Sequence, residues 1–443
     1  MPPEVIALLV LAVVFLIATV RSINMGALAL VAAAIVGVTV YGVKVSTVVG
    51  GFPGGLFVIL VGVTYLFAIA KNNGTVEWIV HSSVRAVRGR VALVPWVMFA
   101  VCALVTAIGA VSPAAVAIVA PVAMGFAARY GIHPVMMGLM VVQGATAGSF
   151  SPMGIFGAIT NGVVESNKLP GNRLLLFLLT FLGAGLIALA SFLAFGGREL
   201  MGRVHDDARD VAGRASGTAS GTASDMASGS SVRAGTSTAT DVHEKLTTER
   251  ILTLAGLAGL AIGALVFGLD VGFTALTVAC LLTLAFPASA KGAVEQISWG
   301  TILLVGGIVT YVSLLEDQGT VKWLGDNVAQ VGAPLVAALL ICFIGAVVSA
   351  FASTTGILGA LIPLAVPFLL TGQVEAVGMV IALAISSSVV DCSPFSTNGA
   401  LIVANSVEED RDMVFRRLMQ WGMAIVVVAP IVTWAALVVP RWL

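Results

Sequence analysis

Two sets of seven apolar segments, divided by one polar interval, constrain this chain more than any other feature. The first set lies at about residues 4–20, 25–42, 55–70, 91–110, 112–128, 134–164 and 173–195. The second lies at about 251–268, 271–287, 300–315, 334–350, 356–370, 377–404 and 415–439. A helix crosses the hydrocarbon of a bilayer with roughly 20 apolar residues, so most of these segments approach spanning length. With 59% hydrophobic residues and 10% charged ones, the composition falls outside that of soluble domains. The sequence predicts an all-α polytopic membrane protein.

Two segments are interrupted. Ser151-Pro152-Met153-Gly154-Ile155-Phe156-Gly157-Ala158 breaks the segment 134–164, and Ser393-Pro394-Phe395-Ser396-Thr397-Asn398-Gly399-Ala400 breaks 377–404 at an offset of 393 − 151 = 242. Pro121 and Pro363 share that offset, Thr64-Tyr65 matches Thr310-Tyr311 at 246, Asn24 and Gly26 match Asp270 and Gly272 at 246, and Gly74-Thr75-Val76 matches Gly319-Thr320-Val321 at 245. The chain therefore reads as a duplication: a first repeat at 1–200, a linker at 201–249 and a second repeat at 250–443. The linker carries Ala-Ser-Gly-Thr-Ala-Ser-Gly-Thr, too poor in apolar surface to offset its ordering entropy, and reads as flexible. Repeats whose discontinuous helices meet near the bilayer midplane are a known architecture of secondary transporters.

The segments 91–110 and 112–128, joined by Gly109-Ala110-Val111-Ser112-Pro113, form either a re-entrant hairpin or two spans with a tight turn. In both cases the chain returns to its starting side. Counting each broken segment once gives five crossings per half, and an odd number inverts the second repeat. With the N-terminus outside, the inner side receives 17 of the 22 basic residues, and the outer side keeps Lys44, Lys168, Arg173, Lys322 and Arg441. The reading is a cytoplasmic-membrane protein with both termini outside and a cytoplasmic linker. The apolar stretch from Val5 to Val20, without a basic flank, reads as a first span rather than a signal peptide.

The breaks are where chemistry is expected, because irregular backbone persists at membrane depth only where it is buried in protein or lines a cavity. Serine favours the N-cap and proline the first helical position, so Ser112-Pro113, Ser151-Pro152 and Ser393-Pro394 each read as the start of a half-helix, with Ser353-Thr354-Thr355-Gly356 as the fourth equivalent. Four such starts would offer N–H groups and positive dipole ends to an anion. No Lys or Arg occurs within 91–128, 334–372 or 374–407, so a bound anion would rest on hydroxyls and amides, with a co-bound cation offsetting its desolvation. Asp391 is the one acid well inside such a segment and is a candidate cation ligand or proton carrier. Each hydroxyl taken singly can equally be helix packing, as can Gln143, Asn161 and the Thr-Tyr pairs, and Asp391 can equally cap a half-helix.

Several classes are disfavoured. Balanced charge, 22 basic against 22 acidic residues, argues against a nucleic-acid surface. Cys102, Cys280, Cys342 and Cys392 lie in apolar segments without CxxC spacing and read as small core residues; His81 and His133 flank loops without metal-ligand spacing. An intramembrane enzyme would need a nucleophile with a base, or paired acids, at membrane depth, and no such constellation is present.

These residues resemble the ion-transporter superfamily that includes the divalent-anion sodium symporters. Gly-Leu-Phe-Val-Ile-Leu-Val-Gly-Val-Thr-Tyr-Leu-Phe at 55–67 and Asn73-Gly74-Thr75 are most similar to MatC-type malonate/dicarboxylate carriers. The symporters carry Ser-Asn-Thr at each hairpin tip, ten residues before a proline, in contact with substrate carboxylate and sodium. Counting back from Pro363 gives Ser353-Thr354-Thr355, and from Pro121 the divergent Val111-Ser112-Pro113. Their Thr-Pro-Ile-Gly is similar to Ser151-Pro152-Met153-Gly154, and their Leu-Pro-Val-Ala-Thr to Ser393 through Thr397. The resemblance implies two inverted five-helix repeats, each with a hairpin and a broken helix, moving as an elevator within a homodimer. Together with the polar breaks themselves, it points to substrate contacts at Ser112, Ser151, Ser353, Thr354, Thr355, Ser396, Thr397 and Asn398, although Asn398-Gly399 stands where the symporters have Pro-Pro. Cation contacts are implied at Ser149, Gly154, Ser349, Ser353, Asp391 and Ser393. The function expected is secondary transport of a small dicarboxylate in the lipid bilayer, coupled to Na+ or H+ with no other cofactor; transport of another anion and a passive channel are the alternatives.

Overall fold

The computed structural model describes residues 2–21, 23–85, 90–201, 246–320, 323, 334–351, 354–370, 372 and 374–440. Most of the linker and Ser353 thus lie outside the described residues. Among the described residues every regular element is helical. The first half comprises α1 (Pro3–Val20), α2 (Met25–Thr39), α3 (Val45–Gly50), α4 (Gly54–Asn72), α5 (Thr75–Arg85), α6 (Val94–Ala107), α7 (Ser112–Tyr130), α8 (Pro134–Ser149), α9 (Ile155–Ser166) and α10 (Arg173–Ala194). The second comprises α11 (Thr248–Val266), α12 (Val271–Ala285), α13 (Pro287–Ala290), α14 (Trp299–Asp317), α15 (Pro334–Phe351), α16 (Thr354–Leu370), α17 (Ala376–Ser388), α18 (Thr397–Asn405) and α19 (Arg411–Thr433).

Among the described residues, α4, α7, α10, α14 and the stretch Glu408–Val438 are long and apolar enough to cross a membrane. Their outer faces have the composition of a lipid-facing surface. On α10, Leu174, Leu178, Leu182 and Leu186 form an exposed row at i, i+4 spacing, while Leu176, Thr180, Ala184 and Ala188 are buried. Helix α8 occupies the centre: Val135 through Ser149 are all buried, with α6, α7 and α10 packed around it.

The paired sequence positions adopt matching local structure. Asn24 and Asp270 are both N-caps, the first accepting from the N–H groups of Gly26 and Ala27 and the second from Phe273. Gly74 and Gly319 both take φ of +74°, which glycine adopts without a Cβ penalty. Thr64 and Thr310 both donate to the carbonyl four residues back, at 2.7 and 2.6 Å, and Tyr311 donates to Ala7 O at 2.9 Å. The Thr-Tyr pairs are therefore packing elements.

The two halves also interlock reciprocally. Helix α2 packs on α14, and its counterpart α12 packs on α4, the counterpart of α14. Glycine permits both crossings: a Cβ on Gly26 would sit 2.0 Å from Leu303 O, and one on Gly272 would sit 2.7 Å from Ile59 N. One expectation fails at the periphery. Cys102, Cys342 and Cys392 are buried, but Cys280 is exposed on α12, because that stretch turns an apolar face outward along with Phe273, Leu281 and Leu284.

Candidate functional site

Both broken segments separate into two helices around an irregular turn. Helix α8 ends at Ser149 and α9 begins at Ile155; α17 ends at Ser388 and α18 begins at Thr397. The Ser-Pro pairs do not open these half-helices as cap and first residue. The Ser151 hydroxyl donates to Ala107 O at 2.6 Å and accepts from Gly154 N–H at 2.8 Å, so it ties the turn to the end of α6. The cap falls three residues later, at Gly154 and Ser396, whose N–H groups donate to Ser151 O and Ser393 O at 2.9 Å and close a turn before each helix begins. Ser112 likewise is the first residue of α7, with Val111 at the cap position and no side-chain cap bond.

The two turns share a geometry that excludes any side chain at one position. A Cβ on Gly157 would lie 2.1 Å from Ser151 O, and one on Gly399 would lie 2.0 Å from Ser393 O. Each glycine lets the new half-helix sit directly on the carbonyl of the Ser-Pro serine.

Polar groups gather at the second turn. Asn398, fully buried, donates from Nδ2 to Ser112 Oγ at 2.7 Å and to Asp391 Oδ2 at 2.8 Å, and thereby joins the start of α18 to the start of α7. Thr354 and the backbone N–H of Asn398 also face the Asp391 carboxylate. Thr354 in turn shares a 2.9 Å hydrogen bond with Ser349. Ser396 Oγ lies 2.7 Å from both Asp391 O and Ser393 O, which share its one hydrogen, and accepts from Gly399 N–H at 3.3 Å. Ser112 and Thr354 are separated by 354 − 112 = 242, the offset between the two interrupted segments. Asp391 is the sole buried charged residue among those described, and Asn398 Oδ1 is buried there without a partner.

The structure thus brings together Ser112, Ser349, Thr354, Asp391, Ser396 and Asn398. It does not bring in Ser149, whose hydroxyl donates to Ala145 O within its own helix at 2.7 Å, nor Ser393, whose Oγ accepts from Phe395 N–H at 3.4 Å. Gly154 serves as the α9 cap, and Thr397 is exposed. Thr355 lies in α16, with its side chain outside the described residues. Gln143 donates to Val389 O at 3.0 Å and so ties α8 to the second turn, while its Oε1 is buried without a partner. Thr146, Thr160 and Ser387 have buried hydroxyl oxygens without partners as well. Sequence reading gave no signal for them, since an isolated hydroxyl in an apolar helix looks the same whether it packs or binds.

An array of neutral donors around a single carboxylate, with an amide oxygen left open, can hold an anion by dipoles and a cation by oxygens. Residues 1–149 match the family model of the dicarboxylate carrier protein MatC N-terminus, and residues 257–442 match that of the citrate transporter family. Both halves match carboxylate carriers. The matches bear out the resemblance to MatC-type dicarboxylate permeases and indicate a dicarboxylate/citrate-type transporter. No curated protein matches the chain.

Proposed function

We propose that the protein is a secondary carrier of a small dicarboxylate, coupled to sodium or protons. The observation that carries this reading is the bridge from Asn398 to both Ser112 and Asp391, which joins a hydroxyl of the first half to an amide and a carboxylate of the second at a single buried point. Ser353, Thr354, Thr355, Ser396, Thr397 and Asn398 are assigned to the substrate, with Ser112 and Ser151. With no Lys or Arg in the segments that form this point, the substrate carboxylates rest on helix starts and hydroxyls, and a cation beside Asp391 offsets their charge. The oxygens of Asp391, Asn398, Ser112 and Thr354 suit a hard cation such as Na+, and Asp391 alone suits a proton.

In this reading residues 1–200 and 250–443 are inverted repeats joined by a cytoplasmic linker, with both termini outside the cytoplasmic membrane. The protein works as a homodimer whose hairpins and broken helices move as an elevator. The test is uptake of labelled malonate, succinate and citrate into proteoliposomes under an imposed sodium gradient and then a proton gradient. Uptake driven by either gradient supports the carrier and names the coupling ion; no uptake of any of the three acids overturns the substrate class. Counterflow separates the carrier from a passive anion channel, which shows none.

A further inference from the structure

A cavity of about 580 Å³ opens at the helix ends, away from the polar centre. Its walls come from the α7–α8 turn with Ile132 and His133, from the end of α10 and the turn after it with Phe195, Glu199 and Leu200, and from Arg417 on α19. Arg417 and Glu199 are both exposed and line the same space. Among the described residues neither has a hydrogen-bond or ion-pair partner, so opposite charges face one volume unpaired. His133 accepts from Val135 N–H at Nδ1, 3.3 Å away, which leaves Nε2 of the neutral ring as a donor. Phe195 packs between the rings of His133 and Trp421, with centroids 5.2 and 5.4 Å away, and backs the cavity with an aromatic wall. Beside it a smaller cavity of about 200 Å³ shares Gly131, Ile132 and Pro134 and carries Asp410, the other charge that acts on His133. Leading away from the mouth, Leu189 and Leu193 continue the exposed apolar face of α10.

We propose that this cavity binds a zwitterionic phospholipid of the phosphatidylethanolamine class. Its phosphate would lie against Arg417 and His133, its ammonium against Glu199, and its acyl chains along α10. A helix-end cavity with aromatic walls and an apolar exit lies where headgroups are found. The paired charges select the headgroup: an anionic lipid would satisfy Arg417 and leave Glu199 facing more negative charge. A choline headgroup carries the right charges but no ammonium hydrogens to donate. The bound lipid ties the α7–α8 turn to α10 and α19.

The test uses the full-length protein in detergent, titrated with dioleoyl phosphatidylethanolamine, phosphatidylglycerol or phosphatidylcholine and read by thermal unfolding and by lipid occupancy in native mass spectrometry. The ethanolamine lipid binds the wild type about tenfold more tightly than the other two. R417Q loses binding of both ethanolamine and glycerol lipids, E199Q loses the preference between them, and R416Q, one residue along and not lining the cavity, behaves as wild type. Equal binding of the three lipids, or unchanged binding to R417Q, overturns the proposal. Equal stabilisation by free phosphoethanolamine overturns the lipid as its source.

Discussion

Replacing Asn398 by alanine is the sharpest perturbation of the polar centre. Its Nδ2 supplies one hydrogen bond to a buried hydroxyl at 2.7 Å and one to a buried carboxylate at 2.8 Å. Loss of a hydrogen bond to a charged group costs about 1.5–3 kcal/mol, and loss of one between neutral groups about 0.5–1.5 kcal/mol. Ser112 and Asp391 are 1% and 4% exposed, so water cannot readily replace the missing donor. If the bridge belongs to the transporting state, the charged contact alone lowers kcat/KM about ten- to a hundredfold, since about 1.4 kcal/mol is tenfold. Asn398→Asp is the harsher variant, because it keeps the shape but sets a second carboxylate where the amide donates to the first.

Ser112→Ala removes only the neutral contact and lowers uptake a few-fold. Combined with Asn398→Ala it adds less than it does alone, because the shared bond is already gone. Initial rates of labelled malonate uptake in proteoliposomes, with melting curves to establish folding, decide the matter. Asn398→Ala within twofold of wild type, Asn398→Asp at least as active as Asn398→Ala, or full additivity with Ser112→Ala would each refute the reasoning.

Four further outcomes follow from the same structure and sequence. Asp391→Asn, which keeps the side chain's shape without its charge, abolishes gradient-driven accumulation while leaving substrate exchange measurable; wild-type accumulation removes Asp391 from coupling. Thr355→Val abolishes uptake without loss of folded protein, and normal transport by that variant removes the second hairpin tip from the site. Gly399→Ala forces its Cβ against Ser393 O and destabilises by about 1–3 kcal/mol or more, whereas Gly185→Ala on α10, with nothing within 4 Å, is neutral in a melting assay. His133 titrates below its ordinary value because of burial first and then Arg417, with Asp410 opposing. The folded state therefore favours the neutral ring, stability is full above pH ~6.5 and falls as pH drops through that range, and His133→Asn, which can still cap α8, flattens the dependence between pH 8 and 5.

Much of the architecture was legible because a bilayer punishes irregularity. A spanning helix must satisfy its own backbone, so Ser-Pro and Gly inside long apolar segments had to mark interruptions, and helices α8, α9, α17 and α18 end and begin around them. Pairs matched in the sequence, such as Gly74 and Gly319, take the same φ of +74°. What failed was local. Cap preference alone placed each helix start on the serine, but a serine hydroxyl can also bind the N–H three residues on within a turn, and Ser151 does so. The contact from Asn398 to Ser112 spans 286 positions and could not be read at all: each residue alone is an ordinary polar group, and only the packing of α18 on α7 makes them partners.

The two turns are alike in backbone and unlike in chemistry, and the difference is one of charge. At the repeat offset of 242, Asp391 corresponds to Ser149 and Asn398 to Phe156. In the first turn Ser149 bonds within its own helix, and Phe156 packs edge-on against Phe150 at 5.4 Å, so that turn is sealed by an aromatic pair. In the second, the same two positions carry a carboxylate and the amide that bridges it to Ser112. The two turns share one shape, held by Gly157 against the Ser151 carbonyl and by Gly399 against that of Ser393. The carboxylate sits in only one of them, which concentrates the buried negative charge at a single point within reach of hydroxyls from both halves. A cation drawn to that point would meet Ser112 from the first half and Thr354 from the second at once, so that its arrival and departure would be registered by both.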